Sequence, residues 1–149
     1  MKYTTTDELE HFGFAEAYIG DVQVTGGFFH LVLDNVTILP ENSCNRDIRT
    51  MRANELLLKL EEADICAVTK EGFKVYDANG RLMKTYDDEE IEKKDFLEII
   101  KTFVGGMIYS LKKENNQYEF VIDAPDEATY VLRVLAAHDV ESWDRFLNQ

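Results

Sequence analysis

The sequence predicts an α+β protein built on a single antiparallel sheet, strongly curved or rolled into a barrel-like form, with one short internal helix and a C-terminal capping helix. Three observations predict this class. Most of the chain alternates apolar and polar residues with a period of two, as half-buried strands do. Turn residues separate these stretches at short intervals. Only two segments, near residue 100 and after Asp139, place apolar residues at helical spacing.

Length and charge limit the class of protein. At 149 residues the chain has the size of one domain. We therefore expect a single domain over residues 1–149, with residues 1–10 poorly ordered because they are polar and without periodicity. The net charge of −13, from 16 basic and 29 acidic residues, disfavours nucleic acid and anionic membranes as partners. Because the N-terminus lacks an apolar signal segment, and Cys44 and Cys66 have no paired spacing, we expect a cytoplasmic protein with reduced thiols.

The first strong element is a β-hairpin within residues 14–38. Val22 and Val24 alternate with polar residues in its first arm, and Gly26 and Gly27 supply the turn. The apolar residues of its second arm are Phe29, Leu31 and Leu33. The alternation slips by one residue at Gly20-Asp21 and again at Asp34-Asn35. Since such a slip turns every later side chain to the other face, each site predicts a bulge or a tight turn.

The middle of the chain predicts a loop, a long strand and a second hairpin. Residues 40–52 are rich in turn residues, and a period of two restarts at Leu56. This strand is expected to continue to about Val68, with a bulge at Glu61-Glu62. Residues 73–76 and 82–86 then form a compact hairpin, joined by a turn whose asparagine and glycine suit positive backbone angles.

The rest of the chain predicts a helix, three strands and a closing helix. Asp95 and Glu98 fit a capping box at the start of the internal helix, which ends at Gly105-Gly106. Strands are expected at 107–112, 118–123 and 129–138. Asp139 would then cap the terminal helix, whose apolar residues are Val140, Trp143, Phe146 and Leu147. We expect Trp143 to be buried as part of a lid over the sheet.

The closing segment of residues 129–147 resembles the last strand and helix of pleckstrin-homology-like domains. The strand Thr129–His138 leads into Asp139 and a one-sided segment carrying a single tryptophan, Trp143. The resemblance implies a seven-stranded antiparallel sheet rolled into a barrel, with the helix closing its open end and the tryptophan packed inward. Phosphoinositide-binding members carry basic residues in the first hairpin loop. Because this loop is Thr25-Gly26-Gly27, the resemblance does not extend to headgroup binding.

The candidate binding residues are the densest group of basic side chains, in the loop before the third strand. Arg46, Arg49 and Arg52 recur every three residues beside Asn45 and Asp47. Guanidinium groups suit carboxylates and phosphates. Two interpretations stay open. Either these side chains pair with the acidic surplus of the chain and anchor the loop, or they form a site for an anion or an acidic partner.

The sequence predicts no catalytic residues, metal or cofactor. His11, His30 and His138 are far apart and have no metal-ligand spacing. Cys44 lies near Arg46, and a nearby cation lowers the pKa of a thiol, but no base accompanies it. Asp77 and Asn79 belong to a hairpin turn rather than to a calcium loop. We therefore lean against an enzyme.

Three functional hypotheses follow. The first is a non-catalytic cytoplasmic domain that binds or regulates another protein, in an oligomeric state that the sequence leaves open. The second is a ligand carrier or enzyme with an apolar cavity inside the sheet, which requires an interior not filled by strand side chains. The third is an acidic inhibitor or immunity-type protein that binds a basic partner. The acidic residues named for that contact are Glu89, Glu90 and Glu92.

Overall fold

The structure is a computed structural model that describes residues 1–149. The chain is 54% strand and 8% helical. The strands are β1 (Tyr3–Thr6), β2 (Phe12–Gly13), β3 (Tyr18–Thr25), β4 (Phe28–Asp34), β5 (Val36–Ile38), β6 (Met51–Ala53), β7 (Leu56–Glu61), β8 (Asp64–Lys70), β9 (Phe73–Tyr76), β10 (Leu82–Tyr86), β11 (Glu89–Glu90), β12 (Met107–Glu114), β13 (Gln117–Asp123), β14 (Thr129–Leu135), β15 (His138–Trp143) and β16 (Leu147–Asn148). The α-helix is α1 (Phe96–Lys101), and two 3-10 turns cover Leu9–His11 and Lys93–Asp95. None of these helical segments has the length and apolar character needed to cross a membrane.

The strands form three antiparallel sheets. The largest has ten strands in the order β1-β15-β7-β4-β3-β12-β13-β14-β8-β11, and it is open, since β1 and β11 are its two edges. A four-stranded sheet has the order β16-β6-β5-β2. The third sheet contains only β9 and β10.

The predicted fold class is therefore wrong in four respects. The chain is mostly β rather than α+β, it has three sheets rather than one, and the large sheet does not close into a barrel. The C-terminal capping helix is absent, because residues 138–143 form β15 between β1 and β7 in the large sheet. The resemblance to pleckstrin-homology-like domains had rested on that helix.

Local hairpin signals are confirmed. The turn at Gly26-Gly27 joins β3 to β4, and the first predicted slip is a register shift between Ile19 and Asp21. The second slip is a turn between β4 and β5, where Asn35 has a φ of 63°. The strand expected to run from Leu56 to Val68 is instead two strands, because the chain turns at Glu62, which has a φ of 53°.

Residues 3–6, within the segment expected to be poorly ordered, form strand β1 at one edge of the large sheet. β1 pairs with β15 from Tyr3 opposite Trp143 to Thr6 opposite Val140. Thr5 is buried and donates a hydrogen bond to Glu141 at 2.8 Å. Thr5, in a polar segment, is thus held by the buried side chain of Glu141, which lies far along the chain. The local pattern of polar and apolar residues gives no sign of this contact.

The large sheet curls so that its inner face encloses the main core. Phe29 on β4 and Phe120 on β13 have ring centroids 5.8 Å apart. These strands are three positions apart in the sheet, a separation of about 14 Å in a flat sheet. The sheet must therefore fold over, and the side chains that fill its interior include Phe29, Leu31, Phe120, Tyr130 and Leu132.

Trp143 is buried as expected, although it lies on a strand. It is fully inaccessible to solvent and packs against the aromatic rings of Tyr3, Phe12 and Phe146, with centroid distances of 5.7, 5.5 and 5.6 Å. Strand β15, strand β1 and the start of β2 therefore meet around the indole.

Trp143→Ala should destabilise the fold by about 3 to 5 kcal/mol, because it leaves a large cavity among these rings. The measurement is denaturant unfolding followed by circular dichroism. Arg145→Ala, at an exposed position two residues on, is the control and should change the free energy of unfolding by less than about 0.5 kcal/mol. An unchanged midpoint for the tryptophan variant would contradict the packing described here.

Candidate functional site

The arginine loop is anchored by its own contacts. Asn45 is buried, and its Nδ2 lies 3.1 to 3.3 Å from the carbonyl oxygens of Ile38, Leu39 and Arg49. Arg49 donates two hydrogen bonds to Asp47, at 3.2 Å and 3.0 Å. These bonds lower the pKa of Asp47. Two of the four candidate residues therefore hold the loop together.

The other two candidate residues do not join them in a shared site. Arg52 lies on β6 opposite Thr37 and Leu147, and its Nε is buried without a hydrogen-bond partner. Arg46 is exposed and forms no ion pair. The structure thus favours the anchoring interpretation of this loop over a convergent anion site.

A buried polar cluster joins the two halves of the curled sheet. Asp139 on β15 is fully inaccessible, and its Oδ1 accepts hydrogen bonds from Tyr118 at 2.7 Å and from Lys113 at 3.0 Å. β13, which carries Tyr118, is five positions from β15, a distance of about 24 Å in a flat sheet. The curl brings these groups into contact across the interior.

Glu141 shares the inner face of β15 with Asp139. It is also fully inaccessible, and its Oε1 accepts the hydrogen bond from Thr5. Asp139 and Glu141 hydrogen-bond to each other. Oδ2 of Asp139 and Oε2 of Glu141 have no hydrogen-bond partner outside this pair. We call these two residues the buried carboxyl pair.

One proton is shared within this pair. Burial, followed by the hydrogen bond with Asp139 and its charge, raises the pKa of Glu141 to about 10. Burial opposes ionisation of Asp139 as well, but hydrogen bonds from Glu141, Tyr118 and Lys113 outweigh it and lower the pKa of Asp139. At neutral pH Glu141 is therefore the protonated donor and Asp139 the ionised acceptor. Since no substrate can reach either carboxyl group, the pair is structural.

The cluster continues to the surface through Asp7. Its Oδ1 accepts a 3.2 Å hydrogen bond from the backbone N–H of Asp139, and its Oδ2 lies 2.8 Å from Nδ1 of His138. This contact raises the pKa of His138. Lys113 lies 3.9 Å from Asp7. The cluster thus fastens the end of β1 to β15 and to the β12–β13 hairpin.

Apolar clefts give little support to a ligand cavity. Phe29, Leu31, Tyr130 and Leu132 are each at most 3% exposed and fill the interior of the large sheet. The cleft with the most apolar lining, between the β3–β4 turn and α1, has a volume of about 220 Å³ and is open to solvent. Drug-sized ligand sites usually exceed about 300 Å³.

The candidate interaction site is the hairpin of residues 73–86, which we call the exposed hairpin. It contains β9, β10 and their turn, and neither strand pairs with another sheet. Every residue of both strands is exposed. Its large apolar side chains, with their exposed fractions, are Phe73 (55%), Val75 (37%), Tyr76 (56%), Leu82 (54%), Met83 (67%) and Tyr86 (40%). Such a concentration of exposed apolar surface is typical of interaction sites.

Apolar residues lie on both faces of this ribbon. Phe73 is opposite Tyr86, and Tyr76 is opposite Leu82. Because side chains alternate along a strand, these two pairs lie on opposite faces. The Phe73 and Tyr86 rings stack with centroids 4.4 Å apart, and Nζ of Lys84 lies 4.4 Å from the Tyr86 ring. A two-stranded ribbon is marginally stable by itself, and these contacts help to hold it together.

The turn and the base of the hairpin are firmly built. Oδ1 of Asp77 accepts hydrogen bonds from the N–H groups of Asn79 and Arg81, both at 2.9 Å, and Gly80 has a φ of 80°. At the base, the Gly72 N–H donates to Oδ1 of Asp88 at 2.7 Å. A Cβ on Gly72 would overlap the carbonyl oxygen of Tyr86. Only glycine allows the two chains to cross so closely where the hairpin leaves the sheet.

The fold and site define a mostly β protein with an exposed, apolar hairpin inserted between β8 and β11 at the edge of its large sheet. No family model, curated protein or solved structure matches the chain.

The exposed hairpin was found in the sequence, but its role was not. The predicted strands, 73–76 and 82–86, match β9 and β10 residue for residue. The available signal was the presence of apolar side chains on both faces of a short ribbon. The buried carboxyl pair was missed because acidic residues at alternate positions predict a solvent-facing surface.

Glu141→Gln should make the protein less sensitive to alkaline pH. The unfolded chain releases the Glu141 proton near its ordinary pKa of 4.5, whereas the folded chain keeps it up to about pH 10. Between these values folding takes up a proton, so this group lowers wild-type stability by about 1.4 kcal/mol for each unit rise in pH. Glutamine carries no such cost and still donates a hydrogen bond to Asp139.

The measurement is the free energy of unfolding of both proteins between pH 5 and pH 9. The variant should be close to wild type near pH 5 and more stable at pH 8 to 9. Glu114→Gln, at an exposed position, is the control and should follow the wild-type curve. Parallel curves for Glu141→Gln and wild type would show that Glu141 is ionised in the folded protein.

Gly72→Ala should displace the exposed hairpin without unfolding the sheets, because the new Cβ meets backbone atoms that no rotamer change can move. Limited trypsin digestion with mass spectrometry should show several-fold faster cleavage at Lys74, Arg81 and Lys84. Gly20→Ala is the matched control, since its Cβ would meet only the Val32 carbonyl oxygen at 3.5 Å. Equal cleavage rates in the two variants would contradict the crowded base.

Proposed function

We propose that this chain is a non-catalytic protein-binding domain whose contact element is the exposed hairpin. The observation that carries the proposal is the exposure of six large apolar side chains on a ribbon whose strands pair with no other sheet. Exposed surface of this kind is costly for a monomer in water and is typical of protein interfaces. Tyrosine and phenylalanine on such a surface supply contact area at a low cost in conformational entropy.

The rest of the fold supports this role as a rigid scaffold. The three sheets leave the interior of the large sheet filled, and Asp139 on its inner face is held by hydrogen bonds from Tyr118 and Lys113. The hairpin is flanked by Gly72 and Asp87, which lie against each other at the sheet edge. The exposed hairpin is thus an addition to a scaffold, because β8 and β11 pair directly with each other and not through the hairpin strands.

The test is a deletion in which two glycines replace residues 73–86. Because the backbones of Gly72 and Asp87 are already in contact, the short link should preserve the β8–β11 pairing and change the melting temperature by only a few degrees. The wild-type protein should retain binding partners, including other copies of the chain, from native lysate. The deletion variant should not retain them.

A control variant changes another exposed turn, with Asn115→Gly and Asn116→Gly between β12 and β13. It should bind like wild type, since Asn115 already has a φ of 56° that glycine adopts readily. A folded deletion variant that keeps every wild-type partner would refute the proposal.

A further inference from the structure

We infer that one side of β12, over residues 109–114, is a second docking site, which takes an extended peptide segment of a partner protein as an added antiparallel strand. We call this side the open edge. The inference goes beyond the proposed function, because it uses a surface other than the exposed hairpin. In the large sheet, β12 lies three positions from β8, the strand that precedes the hairpin.

β12 has a full neighbour on one side only. It pairs with β13 from end to end, but on the other side β3 reaches only Met107. One further residue, Ile108, donates its N–H to the carbonyl oxygen of Ala17 and accepts a hydrogen bond from the N–H of Glu16, both at 2.8 Å. The chain then turns away at Glu16, which has a φ of 70°. Residues 109–114 therefore have no strand along this side.

Two residues of the open edge present backbone groups that no strand meets. The hairpin of β12 and β13 closes with a two-residue turn, so its last pair, Glu114 and Gln117, exchanges both hydrogen bonds. Alternate residues of a strand turn their backbone groups to the same side, so Lys112 also bonds to β13. Leu111 and Lys113 turn their N–H and C=O groups to the other side. No strand, turn or loop backbone of this chain bonds to these four groups there.

A groove of about 550 Å³ lies along the open edge and leaves room for a strand. Its apolar lining includes Leu9, Phe12 and Phe14, which are at most 6% exposed. Leu111 and Lys113 turn their side chains toward the interior, so the residues of an added strand opposite them would point the same way, onto this lining. An extended peptide satisfies the free backbone groups and places every second side chain in the groove.

The charges around the groove indicate which peptide fits. The charged residues that line it are Glu10, Lys112, Lys113 and Glu114. Lys112 and Glu114 are exposed, and residues opposite them in an added strand would belong to non-hydrogen-bonded pairs, where side chains lie closest. Opposite charges in such pairs are stabilising. Read from its N-terminus, the segment should therefore be basic, apolar, acidic and apolar, opposite Glu114, Lys113, Lys112 and Leu111 in turn.

The first measurement is amide hydrogen exchange of the full-length chain, followed by NMR. In the free protein the amides of Leu111 and Lys113 should exchange at least about tenfold faster than those of Lys112 and Glu114, because only the latter two bond to β13. Protection of all four amides in the free protein would overturn the inference, since the open edge would already be paired.

The second measurement uses the synthetic peptide acetyl-Lys-Val-Glu-Val-Thr-amide as the probe. It should produce saturable NMR shifts at Leu111 and Lys113, with a dissociation constant below about 1 mM, and slow the exchange of their amides. N-methylation of both valines, whose N–H groups would face β12, should abolish binding. N-methylation of the glutamate, whose N–H would face away, should change the affinity by less than about twofold. Absence of saturation up to about 1 mM, or equal binding of the two methylated peptides, would overturn the inference.

A charge exchange tests the pairing of the peptide with Lys112. Lys112→Glu should bind the peptide at least about threefold more weakly, and should prefer a peptide in which lysine replaces the glutamate. Lys101→Glu, at an exposed position of α1, is the matched control and should bind like wild type. A Lys112→Glu variant that still prefers the acidic peptide would overturn the inferred pairing.

The hairpin deletion separates this inference from the proposed function. The deletion variant should bind the peptide as the wild type does, because residues 73–86 take no part in the open edge. A wild type that does not bind the peptide, but loses a partner on hairpin deletion, would remove the open edge as a docking site and leave the proposed function. Peptide binding by a chain whose partners do not need the hairpin would do the reverse.

Discussion

The structure depends on a carboxylate held in the interior of a curled sheet. Asp139 on β15 accepts hydrogen bonds from Tyr118 on β13 and Lys113 on β12, which lie on the far side of the curl. An ionised group without partners would be far too costly to bury, so these donors must reach it. The curvature of the sheet, the docking of the β12–β13 hairpin and the position of β15 are therefore linked through one side chain.

The second acid of the pair extends this link to the N-terminus. Glu141 keeps a proton for Asp139 while it accepts a hydrogen bond from Thr5, and Asp7 binds the backbone of Asp139. β1 has only β15 as a neighbour in the sheet. The polar N-terminal strand is thus fixed by these hydrogen bonds together with the packing of Tyr3 against Trp143, although its composition resembles that of a disordered segment.

Local signals predicted the local structure, whereas the global arrangement depended on distant contacts. Gly26-Gly27 and Asn79-Gly80 identified their hairpins because the geometry of a tight turn is set by a few residues. The prediction of a closing helix was wrong because Asp139 and Glu141 occupy inward positions of β15, where apolar residues are expected. With two acids at these positions, the alternation of inward and outward residues that ends at Trp143 was not visible in the sequence. Val140 and Trp143, which define the apparent helical stripe, point to opposite faces of a strand. A single sequence does not show that two acids are buried when their partners are more than twenty residues away.

The order of strands also constrains how the protein forms during synthesis. Residues 64–135 supply one contiguous half of the large sheet, from β8 to β14, whereas the other half combines early strands with β15. β15 lies between β1 and β7, so both strands lack a neighbour until residues 138–143 have been made. During translation β7 exposes an unpaired edge with Leu56, Leu58 and Leu60 along one face, and such edges favour aggregation. β15, which carries the buried carboxyl pair, is therefore also the strand whose synthesis covers the exposed edge of β7.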